Sequence, residues 1–202
     1  VPMLRSPQKA LGHSLTAEWE VSDTLLLRSI TAFRKLDSVQ WDQDITGLTT
    51  WGVNRRIGRM SFAEVNQKQF SQELQLVGDV GDFKYVFGGY YFRERGRDQA
   101  TVFSAGTLNA TRSGIDFFPA PTPDGGATRV PDRAARARIS SKALFGQVTW
   151  SPSSLAGLHV TAGARYTDDH KDGLLTAIAG VNPNLKFVFD SSRVDPMATI
   201  AF

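Results

Sequence analysis

Residues 146–169 read GQVTWSPSSLAGLHVTAGARYTDD. Before Ser151-Pro152, Leu144, Val148 and Trp150 share one parity, with Gln147 and Thr149 between them. Beyond Gly157 the alternation resumes: Leu158, Val160, Ala162, Ala164 and Tyr166 on one side, His159, Thr161, Gly163, Arg165 and Thr167 on the other. A period of two over a whole segment is the mark of a β-strand with two different surroundings on its two faces. The stretch is therefore two strands joined by a short turn, and each strand leads away from the turn into a long polar segment.

The same unit recurs along the chain. Leu15, Ala17, Trp19 and Val21 alternate with Thr16, Glu18 and Glu20. Ser22, Asp23 and Thr24 form a three-residue turn, and a second strand runs from Leu25 to about Leu36. That turn length sets Glu18 opposite Arg28, a favourable cross-strand pair, whereas a two-residue turn would set it opposite Leu27. Ile30 then falls on the polar face. A third strand over residues 68–77 places Phe70, Leu74 and Leu76 on one face, interrupted by Gln72. Residues 79–82 turn the chain, with Gly81 supplying dihedral freedom. The fourth strand, FKYVFGGYYFRE over residues 83–94, carries aromatics on both faces, so alternation leaves its orientation open. Residues 142–150 and 158–167 are the fifth and sixth strands. A seventh is expected at about 185–190, a turn at 191–195, and an eighth from Met197. Residues 37–67, 95–141 and 168–184 are expected to be irregular excursions.

The connections thus alternate short and long. A soluble sandwich gives no reason for such sorting. A transmembrane barrel does: its short turns lie on the periplasmic side and its long loops outside. The fold class expected is all-β, an antiparallel up-and-down transmembrane β-barrel segment of about eight strands from a larger barrel. No run of ~18 apolar residues supplies a transmembrane helix. Net charge is only +3, with both signs interspersed, so nucleic acid is not an expected partner. The absence of Cys excludes disulfides and thiolate metal sites. A start at Val1 rather than Met reads as a processed chain or a fragment.

Several segments resemble the barrel of TonB-dependent outer-membrane receptors: FSQELQLVG (70–78), YVFGGYYFRER (85–95), ALFGQVTWSP (143–152) and GLHVTAGARYTDD (157–169). SITAFRKLDS (29–38) and DPMATIAF (195–202) are similar to further strands of the same barrels, in the same order. The resemblance implies a partial barrel domain over residues 1–202, without plug domain or TonB box, in the outer membrane of a Gram-negative bacterium. It implies energised uptake of a scarce ligand, in the first place a ferric siderophore. Implied partners are outer-membrane lipid, the receptor's own plug and remaining strands, and the TonB complex through a segment not present here. The alternative is a passive channel or small complete barrel. An outer-membrane hydrolase or a soluble binding sandwich fits less well.

No catalytic, cofactor or metal residue is expected. His13, His159 and His170 lack metal-ligand spacing, and the run Asp168-Asp169-His170 reads as a solvated loop tip. Alternation brings no Ser or Asp beside a His. Arg28, Glu73 and Arg165 are expected to face the lumen, and the Gly88-Gly89 pair to be a strand kink. Residues 95–141 are the main ligand-binding candidate. Their Arg95, Arg97, Arg112, Arg129, Arg133, Arg136 and Arg138 suit carboxylate or phosphate groups, and Phe103, Phe117 and Phe118 offer apolar surface. The ligand-binding residues selected are Arg112, Phe117, Phe118, Arg129 and Arg165.

The alternation assigns Leu144, Val148, Trp150, Val160, Ala162 and Tyr166 to lipid. In the full-length barrel, Val148→Arg should destabilise by about 2–4 kcal/mol and Gln147→Arg by much less. Equal losses in reversible unfolding would refute the facing.

Overall fold

The computed structural model describes residues 5–44, 56–109, 111, 113–117, 132–178 and 181–202. Its strands are β1 Gln8–Ser22, β2 Leu25–Asp44, β3 Arg56–Val80, β4 Phe83–Leu108, β5 Ile115–Phe117, β6 Arg133–Trp150, β7 His159–Ile178 and β8 Leu185–Ala201. Seven long strands form one antiparallel up-and-down sheet in the order β1-β2-β3-β4-β6-β7-β8, and short β5 pairs with the far end of β4. β1 and β8 each have a partner on one side only, so the sheet is an open wall.

The strands are far longer than alternation alone suggested. The segment expected to be irregular at 37–67 is largely the continuation of β2 and β3, paired as far as Asp44 opposite Arg59. Likewise Arg95 to Leu108 belongs to β4, and Arg133 to Ser141 to β6. Residues 168–178 extend β7, so Asp168, Asp169 and His170 are strand residues rather than a loop tip. The physical reason is the change of solvent. Beyond the apolar band both faces carry polar side chains, so period two vanishes from the sequence while the backbone ladder continues.

The expected turn at residues 191–195 is absent. These residues pair with Asp169 to Arg165, and the two strands expected at the C-terminal end are one, β8. Ser-Ser-Arg-Val-Asp-Pro has turn composition, but Pro196 lies in a strand with one neighbour in this sheet, where a missing N–H is tolerated. The parity of connections survives only in part. At one end, links of two residues join β1–β2 and β3–β4 and one of eight joins β6–β7; at the other, eleven residues join β2–β3 and twenty-four separate β4 from β6, but only six join β7–β8, fewer than join β6–β7.

Local turn chemistry fixes the register. Glu18 does face Arg28, but by a two-residue link, because a bulge between Glu20 and Ser22 takes up Val21. Gly81 has φ +60° between the paired Val80 and Phe83, while Asp82 has no positive φ, the pattern of a type II′ hairpin turn. The β6–β7 turn is anchored to its neighbour: Ser151 N–H donates to the Asp82 carbonyl at 2.8 Å, and Ser153 N–H to the Asp82 carboxylate at 3.2 Å.

The two faces then separate cleanly. Leu74, Gly89, Leu144, Tyr166 and Val194 lie directly opposite one another across β3 to β8. The next row of that face holds Trp19, Leu27, Leu76, Phe87, Gly146 and Ala164. Leu144 is 68% exposed, Trp19 66% and Leu74 50%, while among the described residues the buried apolar ones are Phe62 and four alanines. A continuous apolar surface of this extent belongs against another apolar phase, and here that phase is lipid. Along β3 it runs from Val80 to Phe70, eleven residues and ten steps. At ~3.3 Å per residue and a tilt near 40°, that spans ~25 Å, the height of an outer-membrane apolar band. Register also orients β4: Tyr85, Phe87, Gly89 and Tyr91 join the lipid face, and Val86, Gly88, Tyr90 and Phe92 the opposite one.

The chain by itself should not refold into a heat-resistant monomeric barrel, because β1 and β8 would leave unpaired backbone in lipid and template association in water. A detergent-refolded, heat-modifiable monomer on a cold gel would contradict this.

Candidate functional site

The face opposite lipid is built from short cross-strand contacts. Arg28 Nε donates to Glu18 Oε1 at 2.6 Å, and its Nη1 to Gln75 Oε1 at 3.3 Å. Gln75 Nε2 in turn donates to Glu73 Oε1. This chain of bonds crosses β1, β2 and β3. Gln69 Nε2 donates to Glu94 Oε2 at 2.6 Å, and the Thr149 and Thr161 hydroxyls meet at 2.9 Å. Arg28, Glu73 and Arg165 thus share the polar face, as alternation indicates. The first two are tied to wall neighbours rather than standing free.

Arg165 sits within a compact constellation. Its guanidinium lies 5.5 Å from the Tyr90 ring centroid and 5.7 Å from that of Phe145, and Nε donates to Thr167 Oγ1 at 3.2 Å. Cation–π attraction of this kind stabilises by about 0.5–2 kcal/mol depending on desolvation. Gly88 makes the room. A Cβ there would stand 2.3 Å from Phe145 Cζ and 2.7 Å from the Leu74 carbonyl oxygen. Gly88 is therefore a packing requirement beneath an aromatic ring, and it lies within a continuous ladder. The Tyr90–Arg165–Phe145 group escaped the sequence reading because three separate strands supply it and β4 could not be oriented.

Of the other ligand-binding residues selected, Arg112, Phe118 and Arg129 lie outside the described residues. Phe117 belongs to β5, paired with Gly106 of β4, so its backbone stands at the long-connection end of the sheet. Arg133 bonds Asp98 at 2.9 Å. Arg95, Arg97, Arg136 and Arg138 have the parity of the lipid face, so they do not converge on the lumen with Arg165.

Two of the three histidines, His159 and His170, are paired locally. His170 Nδ1 meets Asp190 Oδ1 at 2.5 Å across β7 and β8. Asp168 and His170 have one parity and Asp169 the other, so this run cannot close around a cation. Among the described residues no cluster of three or more His, Cys, Asp or Glu could hold a metal. One Ser/His contact does form, contrary to the alternation argument: Ser151 Oγ lies 2.7 Å from His159 Nδ1. Both flank the exposed β6–β7 turn, and no carboxylate is bonded to the His159 ring, so the pair closes the turn.

The polar interruption of the lipid face is also resolved. Thr31 Oγ1 donates to Gln72 Oε1 at 2.6 Å, and Gln72 Nε2 donates to Ser29 Oγ at 2.9 Å and to the Glu73 carbonyl at 3.2 Å. The amide is satisfied within the wall, which is what allows it on that face.

The family described as TonB dependent receptor-like, beta-barrel matches residues 3–198. The chain belongs to this family, as part of its β-barrel. Among solved structures it is similar to the ferric yersiniabactin uptake receptor FyuA from Yersinia pestis, at 13% identity and TM-score 0.57, over 96% of this chain and 26% of that one. The ferric citrate transporter FecA in the unliganded form is similar at 10% identity and TM-score 0.62, over 96% and 24%. The siderophore receptor PiuA from Acinetobacter baumannii is similar at 16% identity and TM-score 0.58, over 97% and 30%. The chain thus spans between about a quarter and a third of the length of these structures, and at such identities the likeness is one of fold. No curated protein sequence matches it.

Gly88→Ala in the full-length barrel should destabilise by about 1–3 kcal/mol through overpacking. Gly96→Ala, whose added Cβ would meet nothing within 4 Å, should be near neutral. Urea unfolding of the two variants side by side checks this, and equal midpoints would remove the packing role of Gly88.

Proposed function

We propose that the chain is an internal part of the barrel of an outer-membrane receptor in a Gram-negative bacterium. That receptor imports a scarce ligand, most simply a ferric siderophore, by energised transport. The observation that carries this reading is a lipid-facing wall of the TonB-dependent receptor family with long paired hairpins at one end. FyuA, FecA and PiuA, named for siderophore or ferric citrate uptake, support the ligand class by analogy of fold. Such a receptor needs partners beyond this sheet: a plug, the remaining strands and the TonB complex. Its chemistry is recognition and passage, with no bond made or broken in the ligand, so we read it as a transporter and not as an enzyme.

The ligand-capture segment we assign is the connection between β4 and β6. If short turns are periplasmic, this connection is extracellular. Arg112 and Arg129 would engage carboxylate or phosphate-like groups of the ligand through paired hydrogen bonds. Phe117 and Phe118 would cover its apolar parts, and Arg165 would serve the lumen path below. Because β4 runs to Leu108 and β6 starts at Arg133, residues 109–131 can be excised without touching the β4–β6 ladder.

Deleting residues 109–131 should weaken ligand binding at least about tenfold, a loss of ~1.4 kcal/mol, and leave barrel assembly intact. Growth of a deletion strain complemented with each form, on single iron sources, identifies the ligand. A protease site inserted in the segment should be cut on intact cells. Cleavage only after outer-membrane rupture would reverse the topology, and unchanged affinity and uptake would leave the segment without a role in capture.

A further inference from the structure

Beyond Tyr166, β7 carries five titratable residues in succession: Asp168, Asp169, His170, Lys171 and Asp172. The run begins where the exposed apolar row of β7 ends, so it stands clear of the apolar band. Asp168, His170 and Asp172 share the parity of Tyr166, while Asp169 and Lys171 share that of Arg165. His170 Nδ1 meets Asp190 Oδ1 of β8 at 2.5 Å, and its Nε2 lies 3.9 Å from Asp172 Oδ1. β8 sets Ser192 opposite Asp168 and Val188 opposite Asp172, with Lys186 one row further on, opposite Leu174. β6 sets Ser140 opposite His170, Lys142 opposite Asp168 and Arg138 opposite Asp172. The β6–β7 joint is thus balanced on this face. At the β7–β8 joint, from the Asp168 row to the Asp172 row, His170 is the one basic group, against Asp168, Asp172 and Asp190.

Carboxylates at the direct and diagonal spacings of a sheet repel one another, and a protonated imidazole among them offsets that. The bond to Asp190, with the charges of Asp190, Asp172 and Asp168, holds the His170 pKa above the ordinary histidine range against a smaller opposing effect of desolvation. A raised pKa means that the contact stabilises the paired hairpin fully below the free imidazole's value. That contribution is lost as pH rises through the raised value. The other side of the same strands shows what the contact holds. Phe187 and Phe189 of β8 lie opposite Gly173 and Lys171, on the lumen face. A Cβ added at Gly173 would run into the Phe187 ring, so the ring lies across that glycine. Lys171 Nζ stands 5.8 Å from the Phe189 ring centroid. Both rings are half exposed. An aromatic shelf therefore sits at the long-connection end of the lumen face, on strands pinned from behind by His170.

We infer that His170 is a proton-operated latch: protonated, it pins β8 to β7 above the apolar band and holds the Phe187–Phe189 shelf in place, and neutral, it lets this end of the hairpin open locally. An exposed ion pair contributes little to global stability. The end of a ladder, however, opens at low free energy, so a small bias there changes how often the shelf is in place. His170 is a positioning residue, acting on the shelf through the β7–β8 pairing. The latch rests on the paired hairpin and its charges and not on the identity of the imported ligand.

The test is amide hydrogen exchange on the full-length receptor in mild detergent, at low salt because exposed charges are screened. Protection factors are compared at about pH 6 and about pH 9, either side of histidine titration, with the β3–β4 ladder as internal reference. In the wild type, residues 171–178 and 185–189 should lose protection about two- to fivefold at the higher pH, and the reference ladder should not change. His170→Gln should show the lower protection at both pH values. His170→Lys, charged throughout, should show the higher protection at both. Asp190→Asn should shrink the pH step. Heat-modifiability on a cold gel checks that each variant is folded. Wild-type protection independent of pH would overturn the proposal without recourse to any variant, as would an equal loss in the reference ladder. So would a pH step retained by His170→Gln, which would assign it to another group.

Discussion

Backbone hydrogen bonding in a medium without water governs this molecule. An amide that enters hydrocarbon must be paired within the protein, and among the seven long strands the pairing runs nearly without interruption. Its irregularities, the bulge at Val21 and the shift between Ala134 and Ala135, lie at the two ends of the wall. The same requirement explains Gln72, whose amide is consumed by Thr31, Ser29 and a backbone carbonyl. It also explains why both faces can be so different, since the ladder holds the sheet without a conventional core. No side chain among the described residues is fully enclosed.

The part of the fold that was legible in the sequence is the part that meets two solvents. Leu144, Val148 and Trp150 against Phe145, Gln147 and Thr149 reads directly as a wall between lipid and a polar lumen. Where the second solvent is replaced by water on both sides, alternation disappears. The upper halves of β2, β3, β4 and β6 therefore carry no strand period in their sequence. β8 was divided in two for a related reason, because Ser191 to Asp195 carries the composition of a turn in a place where pairing with β7 holds it extended. The Glu18–Arg28 contact was correctly foreseen, although its geometry depends on a bulge that no composition rule announces.

The candidate site was less legible, because sites are assembled across strands. Arg165 was recognisable as a lumen residue, but its two aromatic neighbours come from β4 and β6, and the aromatic symmetry of FKYVFGGYYFRE concealed which face Tyr90 takes. Gly88 was visible as an anomaly whose cause is the ring of Phe145. Arg95 and Arg97, and again Arg136 and Arg138, stand at every second position in the sequence, but only the continuation of β4 and β6 lets parity place them on the lipid side rather than beside Arg165.

The extension of the ladder beyond the membrane has a mechanical consequence. From Tyr91 to Leu108 β4 continues for 17 residues, which at ~3.3 Å per residue is ~56 Å of strand. Most of that length is cross-linked to β3, and its portion up to Ala100 to β6 as well. A segment carried on such a mast does not explore the volume open to a free coil. Its root is held at a fixed height and bearing above the bilayer, and flexibility is confined to the tip. Substitutions at the tip can then change what is recognised while leaving the direction of approach unchanged, and variation in the number of paired residues would alter reach without altering recognition.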